Sequence, residues 1–269
     1  MKLPPPLFVL LTLALAPLAR PAPGSSSLEA AWQLASLLRL GEAEAIFRSH
    51  LADAGPTARE ARYGLGLTLL NLSPKTDRRL AEARAHLEGA AAVAPADDLG
   101  LAARFYLARL FHRHLPRPDL PAALAIYESL AEEYPAHYFG QYAVVEASLI
   151  GLFRDFSPVG VEPRVLTWQA RGRAITDPAL RRNFLRNLSL ALLRGDGSDA
   201  AALGLTQEVD ALRFTRTDQR VVTLLRIALL AEGLRDRPLQ IAALERYLAE
   251  FPRHQQRRFY ADQLDRLRD

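Results

Sequence analysis

Few residues in this chain have the type and spacing to do chemistry. There are six histidines and no cysteine, so disulfides, thiolate ligands and thiol nucleophiles are excluded. His112 and His114 lie two apart, which on a helix is about 200° around the axis, so they cannot face one ion. His50, His86, His137 and His254 are scattered, and no His-x3-His or HExxH pairing occurs, so surface or groove positions suit the histidines better than ligation. GDGSD at 195–199 has the look of a calcium loop, but Ala200 follows where a ligand is needed and the required glycine is missing. Gly195 as a helix C-cap, with Ser198 or Asp199 as the next N-cap, accounts for it. No G-x-S-x-G, Walker or GxGxxG sequence occurs, and nothing else offers a nucleophile with its base. No catalytic residue, metal site or cofactor is therefore expected.

Charge gives one further feature. The net charge is +4, from 34 basic and 30 acidic residues, and Lys2 and Lys75 are the only lysines. Between Asp177 and Asp196, PALRRNFLRNLSLALLR carries Arg181, Arg182, Arg186 and Arg194 with no acid. Arg182 and Arg186 are four apart and share a helix face. Such a basic face is either a solvated helix surface or a seat for an acidic partner or an anionic envelope polymer. Nucleic acid is not expected at so modest a charge.

The elements that position these residues are helical throughout. From Leu28 onward Ala, Leu, Arg and Glu recur at helical spacing, broken by Gly or Pro, with no sustained alternation of the strand kind. The pattern predicts thirteen helices, near 28–39, 42–53, 57–71, 78–93, 98–114, 119–133, 137–153, 163–175, 178–194, 198–213, 218–234, 239–250 and 254–267. Ahead of them, MKLPPPLFVLLTLALAPLARPAPGSSS has one cation, an apolar run from Leu7 to Ala16, then small residues and prolines, the order of a secretory signal. That run is shorter than the ~20 residues that span a bilayer. The expectation is an exported chain, periplasmic or secreted and peripheral to a membrane at most, with residues 1–24 as signal and short linker.

Internal repetition decides how the helices are arranged. AALAIYESLAEEYP at 122–135 is echoed by LQIAALERYLAEFP at 239–252. The 34-residue tetratricopeptide pattern sets W-x2-L-G-x2-Y, then A-x3-F, then P. Small residues let paired helices approach, large ones plug the seam, and proline stops the second helix. Ala31, Leu34, Ala43 and Phe47 fit a first copy. Leu65-Gly66 and Leu69 with Ala83, Leu87, Ala90 and Pro95 fit a second. Leu107-Ala108 and Phe111 with Ala123, Tyr127, Leu130 and Pro135 fit a third. Leu224, Ile227-Ala228, Ala231, Gln240, Leu244, Tyr247 and Pro252 fit a C-terminal copy. The chain thus resembles the tetratricopeptide-repeat family over most of 28–154 and again from about 218 to 254. YESLAEEYPAHYFGQYA is also similar to repeats of exported bacterial proteins of outer-membrane assembly and envelope division.

The resemblance implies an all-α, right-handed α-solenoid of helical hairpins. Residues 25–154 would hold N-terminal repeats, 155–217 degenerate hairpins, and 218–269 a C-terminal repeat with a capping helix. It also implies a non-enzymatic adaptor that holds a peptide or protein in a concave groove. The positions for that face are Tyr63, Phe105, Arg109, His112, Phe139, Tyr142 and Glu146, as anchors for a peptide or as rings that pack between hairpins. The other class is an enzyme acting on an envelope polymer. Glu128-Ser129 is similar to the motif of lytic transglycosylases, but the Gly-Leu-Met-Gln segment of that family is missing, and Met1 is the only methionine.

Overall fold

The computed structural model describes residues 27–213 and 216–269, so the signal and linker expected over residues 1–24 lie outside the described residues. Among those residues the chain is all-helical, with thirteen α-helices and no strand. It divides into two compact units, one ending at Tyr134 and one starting at Pro135. Among the described residues no helix is long and apolar enough to cross a membrane.

The first unit holds α1 (Leu28–Ser36), α2 (Leu40–Ser49), α3 (Gly55–Asn71), α4 (Asp77–Val93), α5 (Asp98–Arg109) and α6 (Leu120–Glu133). Each helix packs on the next, and α3 also touches both α1 and α5. Side chains start most of these helices: Ser27, Thr76, Asp97 and Asp119 each accept a backbone N–H of the first turn, which satisfies an otherwise orphan donor. A π turn over Leu110–His114 ends α5. Small residues set the closeness of α2 to α3. A Cβ on Gly64 would stand 2.3 Å from Cε1 of Phe47, and Phe47 is itself fully buried.

The second unit holds α7 (Tyr138–Phe153), α8 (Val161–Arg171), α9 (Pro178–Arg194), α10 (Asp199–Ala211), α11 (Thr217–Gly233), α12 (Arg237–Glu250) and α13 (Arg257–Arg268). Helix α7 packs on α8 and α9, and from α8 onward each helix packs on the next. GDGSD closes α9 and opens α10, with Gly195 as C-cap and Ser198 Oγ accepting from Ala201 N. Its Asp196 also accepts Gly160 N at 2.8 Å and Val161 N at 3.0 Å. Gly160 sits at φ +69°, a left-handed conformation that favours glycine, and these bonds fasten the start of α8 to the α9–α10 turn. At the α7–α9 junction buried Gln141 accepts from Thr176 N and Asp177 N and donates to Ala136 O.

The two echoing stretches become α6 and α12. Tyr127 and Leu130 in α6, and Leu244 and Tyr247 in α12, are all fully buried. Tyrosine and leucine trade places on adjacent turns of one face, three residues apart, so the buried pair is kept while its order is reversed. Gln240, where α6 has Ala123, is buried at 4% exposure.

Candidate functional site

A recurring arginine contact joins the hairpins inside each unit. In the first, Arg59 of α3 reaches the end of α4, donating to Ala90 O at 2.8 Å, to Ala94 O at 2.9 Å and to Asp97 through two further bonds. Arg104 of α5 donates to Ser129 Oγ of α6 at 2.6 Å and pairs with Glu133. In the second unit Arg220 of α11 takes Glu250 at the end of α12 in two bonds, 2.9 and 2.8 Å. Each time a cation on one helix of a hairpin meets the carboxyl end of the next helix, where carbonyls lack intrahelical donors and the helix dipole is negative. Arg220 and Arg246 also hold Asp210. The arginines hold the carboxyls of Asp97 and Glu250 below their ordinary values.

The seven groove positions divide between the units. Tyr63, Phe105 and Arg109 of the first are buried, at 6%, 0% and 6% exposure. Rings tie them together. Tyr63 lies 6.2 Å from Tyr106, Tyr106 lies 5.6 Å from Phe105, and Phe105 lies 5.6 Å from Tyr127. Arg109 stands over the ring of Tyr106, and half-buried His112 meets Tyr127 edge-on at 6.1 Å. Burial, with Tyr106 beside it, pushes the Tyr63 phenol well above its ordinary value. In the second unit Phe139 and Glu146 are buried, while Tyr142 is half-buried and meets Tyr138 edge-on at 5.9 Å. The reading of Phe105 as a peptide anchor on an open face is therefore corrected: with no exposed surface it is a seam ring. Tyr63 and Phe139 have almost none. The physical reason is that α5 is packed by α3, α4 and α6 at once, with Tyr106 and Tyr127 against the Phe105 ring, while α3, buried continuously from Tyr63 to Leu70, is likewise covered on more than one side.

Three rings escaped the sequence reading. Trp32 lies 5.0 Å from Phe47 and 5.8 Å from Tyr63, and its Nε1 donates to Glu60 at 2.8 Å. Tyr106 and Tyr138 each neighbour a template position, and the template names only one residue of each pair. An aromatic doublet such as Phe105-Tyr106 is the signal that could have found them.

The four basic residues do not form one face. Arg181 donates to Gly172 O at 3.0 Å, and Arg194 stands over the Phe153 ring at 5.6 Å. Arg182 and Arg186 do share a side of α9, both half-buried, and Arg182 donates to Arg213 O at 2.5 Å. The residue that joins them is Arg226 on α11, whose basicity is lowered by burial and then by the charge of Arg186. A linear run could not reveal it, because it belongs to another hairpin.

The remaining candidates are placed as follows. Glu128 is half-buried beside fully buried Tyr127, and Ser129 is drawn into the Arg104–Glu133 contact. Among the described residues no three of His, Cys, Asp or Glu gather as a metal site. A cleft of about 230 Å³ in the second unit is lined by Val165, Leu166, Leu192 and Leu205 with Glu162 and Glu208. A scan against protein-family models matches no family, and a search of curated proteins finds no match.

Proposed function

We propose that the protein is a non-enzymatic scaffold of the bacterial cell envelope, a right-handed stack of tetratricopeptide-like hairpins that holds a peptide or protein partner. The observation that carries this reading is the recurrence of one contact: Arg59 on Asp97, Arg104 on Glu133 and Arg220 on Glu250. A contact repeated at two successive hairpins of the first unit and again at one of the second is what an array built from one supersecondary element would give. Such arrays work by offering long surfaces to partners. The echo of α6 in α12, with its buried tyrosine–leucine pair, supports the same reading. The apolar leader at Leu7–Ala16 supports export.

The test is direct. Cross-linking in intact cells followed by purification identifies the partner, and calorimetry on the purified pair measures saturable binding. Catalytic release of soluble fragments from envelope polymer by the purified protein, abolished in Glu128→Gln, would overturn the reading in favour of an enzyme.

A further inference from the structure

Arg186 on α9 and Arg226 on α11 stand apart from the other half-buried arginines of the second unit. Arg164 donates to the carbonyls of Gly160 and Ser157, Arg181 to Gly172, Arg182 to Arg213, and Arg220 pairs with Glu250. Among the described residues Arg186 and Arg226 have no hydrogen bond, ion pair or ring contact.

Their surroundings are cationic. Arg182 and Arg226 each lie within the field of Arg186, and Arg186 within that of Arg216. Two aspartates are near, and both are already engaged: Asp177 caps α9, and Asp218 takes two bonds from Arg216, at 3.0 and 2.8 Å. Four arginines thus meet two occupied carboxylates. Holding like charges partly out of water is costly unless a negative group joins them, and a guanidinium suits a carboxylate through its fork of parallel donors.

Apolar positions flank the pair. Val222 and Leu229 lie one turn to either side of Arg226, at 51% and 66% exposure, and Leu190 and Leu193 follow Arg186 along α9, half-buried and exposed. We infer that this face seats an extended peptide, with one acidic side chain between Arg186 and Arg226 and apolar side chains over Val222 and Leu229. A polyanion would leave those apolar positions facing charge, so a mixed acidic and apolar peptide complements the face better. The inference rests on the reading of the protein as a peptide-holding scaffold.

Fluorescence anisotropy on the purified protein tests it with three probes. They are a labelled decapeptide carrying one central glutamate among leucines and valines, its glutamine twin, and inorganic polyphosphate. The glutamate peptide should bind about tenfold more tightly than its twin, the difference expected of charge-assisted bonds. The Arg186→Gln, Arg226→Gln double variant should bind the two peptides alike. Arg78→Gln with Arg173→Gln, an equal loss of charge at exposed positions, should behave as the unaltered protein. In thermal unfolding the peptide should stabilise the unaltered protein but not the double variant, and Arg226→Gln alone should show the same loss if the double variant fails to fold. Equal binding of the twins, an unchanged double variant, or polyphosphate binding more tightly than the peptide would each overturn the inference. If the twins bind alike while the native partner is still captured, the anion seat falls and the scaffold stands. Should that capture fail as well, both fall.

Discussion

Arg59 on α3 grips Asp97 between α4 and α5 with two parallel bonds, of 2.5 and 2.8 Å. The same carboxylate caps α5 by accepting Gly100 N at 2.7 Å, so three helices meet at one ion pair. Arg59→Ala frees two carbonyls at the end of α4 as well as Asp97. It should destabilise the protein by about 2 kcal/mol, read from denaturant unfolding. Asp97→Asn keeps much of the cap and should cost less, about 1 kcal/mol.

Acid should weaken this contact. Asp97 titrates below its ordinary 3.8, chiefly through its bond from Arg59. Its contribution is fully present above that ordinary value and is lost as pH falls through the lower folded value. Glu250, lowered by Arg220, follows the same rule from 4.5 downward. Thermal midpoints should therefore fall more steeply below about pH 4 in the unaltered protein than in Asp97→Asn.

His114 adds an effect at milder pH. Burial, and then the charge of Lys75, depress its pKa from 6.5 to about 4. The folded protein therefore binds fewer protons than the unfolded chain between those values, and stability declines as pH drops from 6.5 toward 4. Replacing His114 with Gln should flatten that part of the profile. A ring titration by NMR with a midpoint near 6.5 would contradict the assignment.

Phe105 and Tyr142 should separate in a stability assay. Truncating fully buried Phe105 removes ring contacts to Tyr106 and Tyr127, and Phe105→Ala should cost about 3 to 5 kcal/mol. Tyr142 is half-buried, so Tyr142→Ala should cost about 1 kcal/mol. Equal losses would mean that Phe105 is not a seam ring.

The helices were legible because glycine, proline and capping residues punctuate them. Thirteen predicted runs correspond to thirteen helices among the described residues, and GDGSD became the turn its capping residues implied. Boundaries differ where glycine or proline lies inside a helix. The run expected from residue 42 starts at Leu40, with Gly41 inside α2, and the break falls at Leu38, at φ 60°. Pro163 and Pro238 sit in the first turns of α8 and α12, where a missing N–H costs little. Surfaces were harder to read. A template position fixes a direction around its own helix, but the neighbours decide whether that direction is open, as Phe105 shows. Arg226 was invisible for a related reason: it joins Arg186 only through the packing of α9 and α11 on α10.

Site-specific photo-cross-linking tests the scaffold account most directly. A photoreactive residue at Val222 on α11, or one at Leu166 on α8, is solvent-exposed in either case, at 51% and 58%. The account predicts that the native partner is captured from Val222, the first helix of its hairpin, and not from Leu166, on a second helix. Capture from Leu166 alone would contradict it and assign binding to the opposite face of the hairpins.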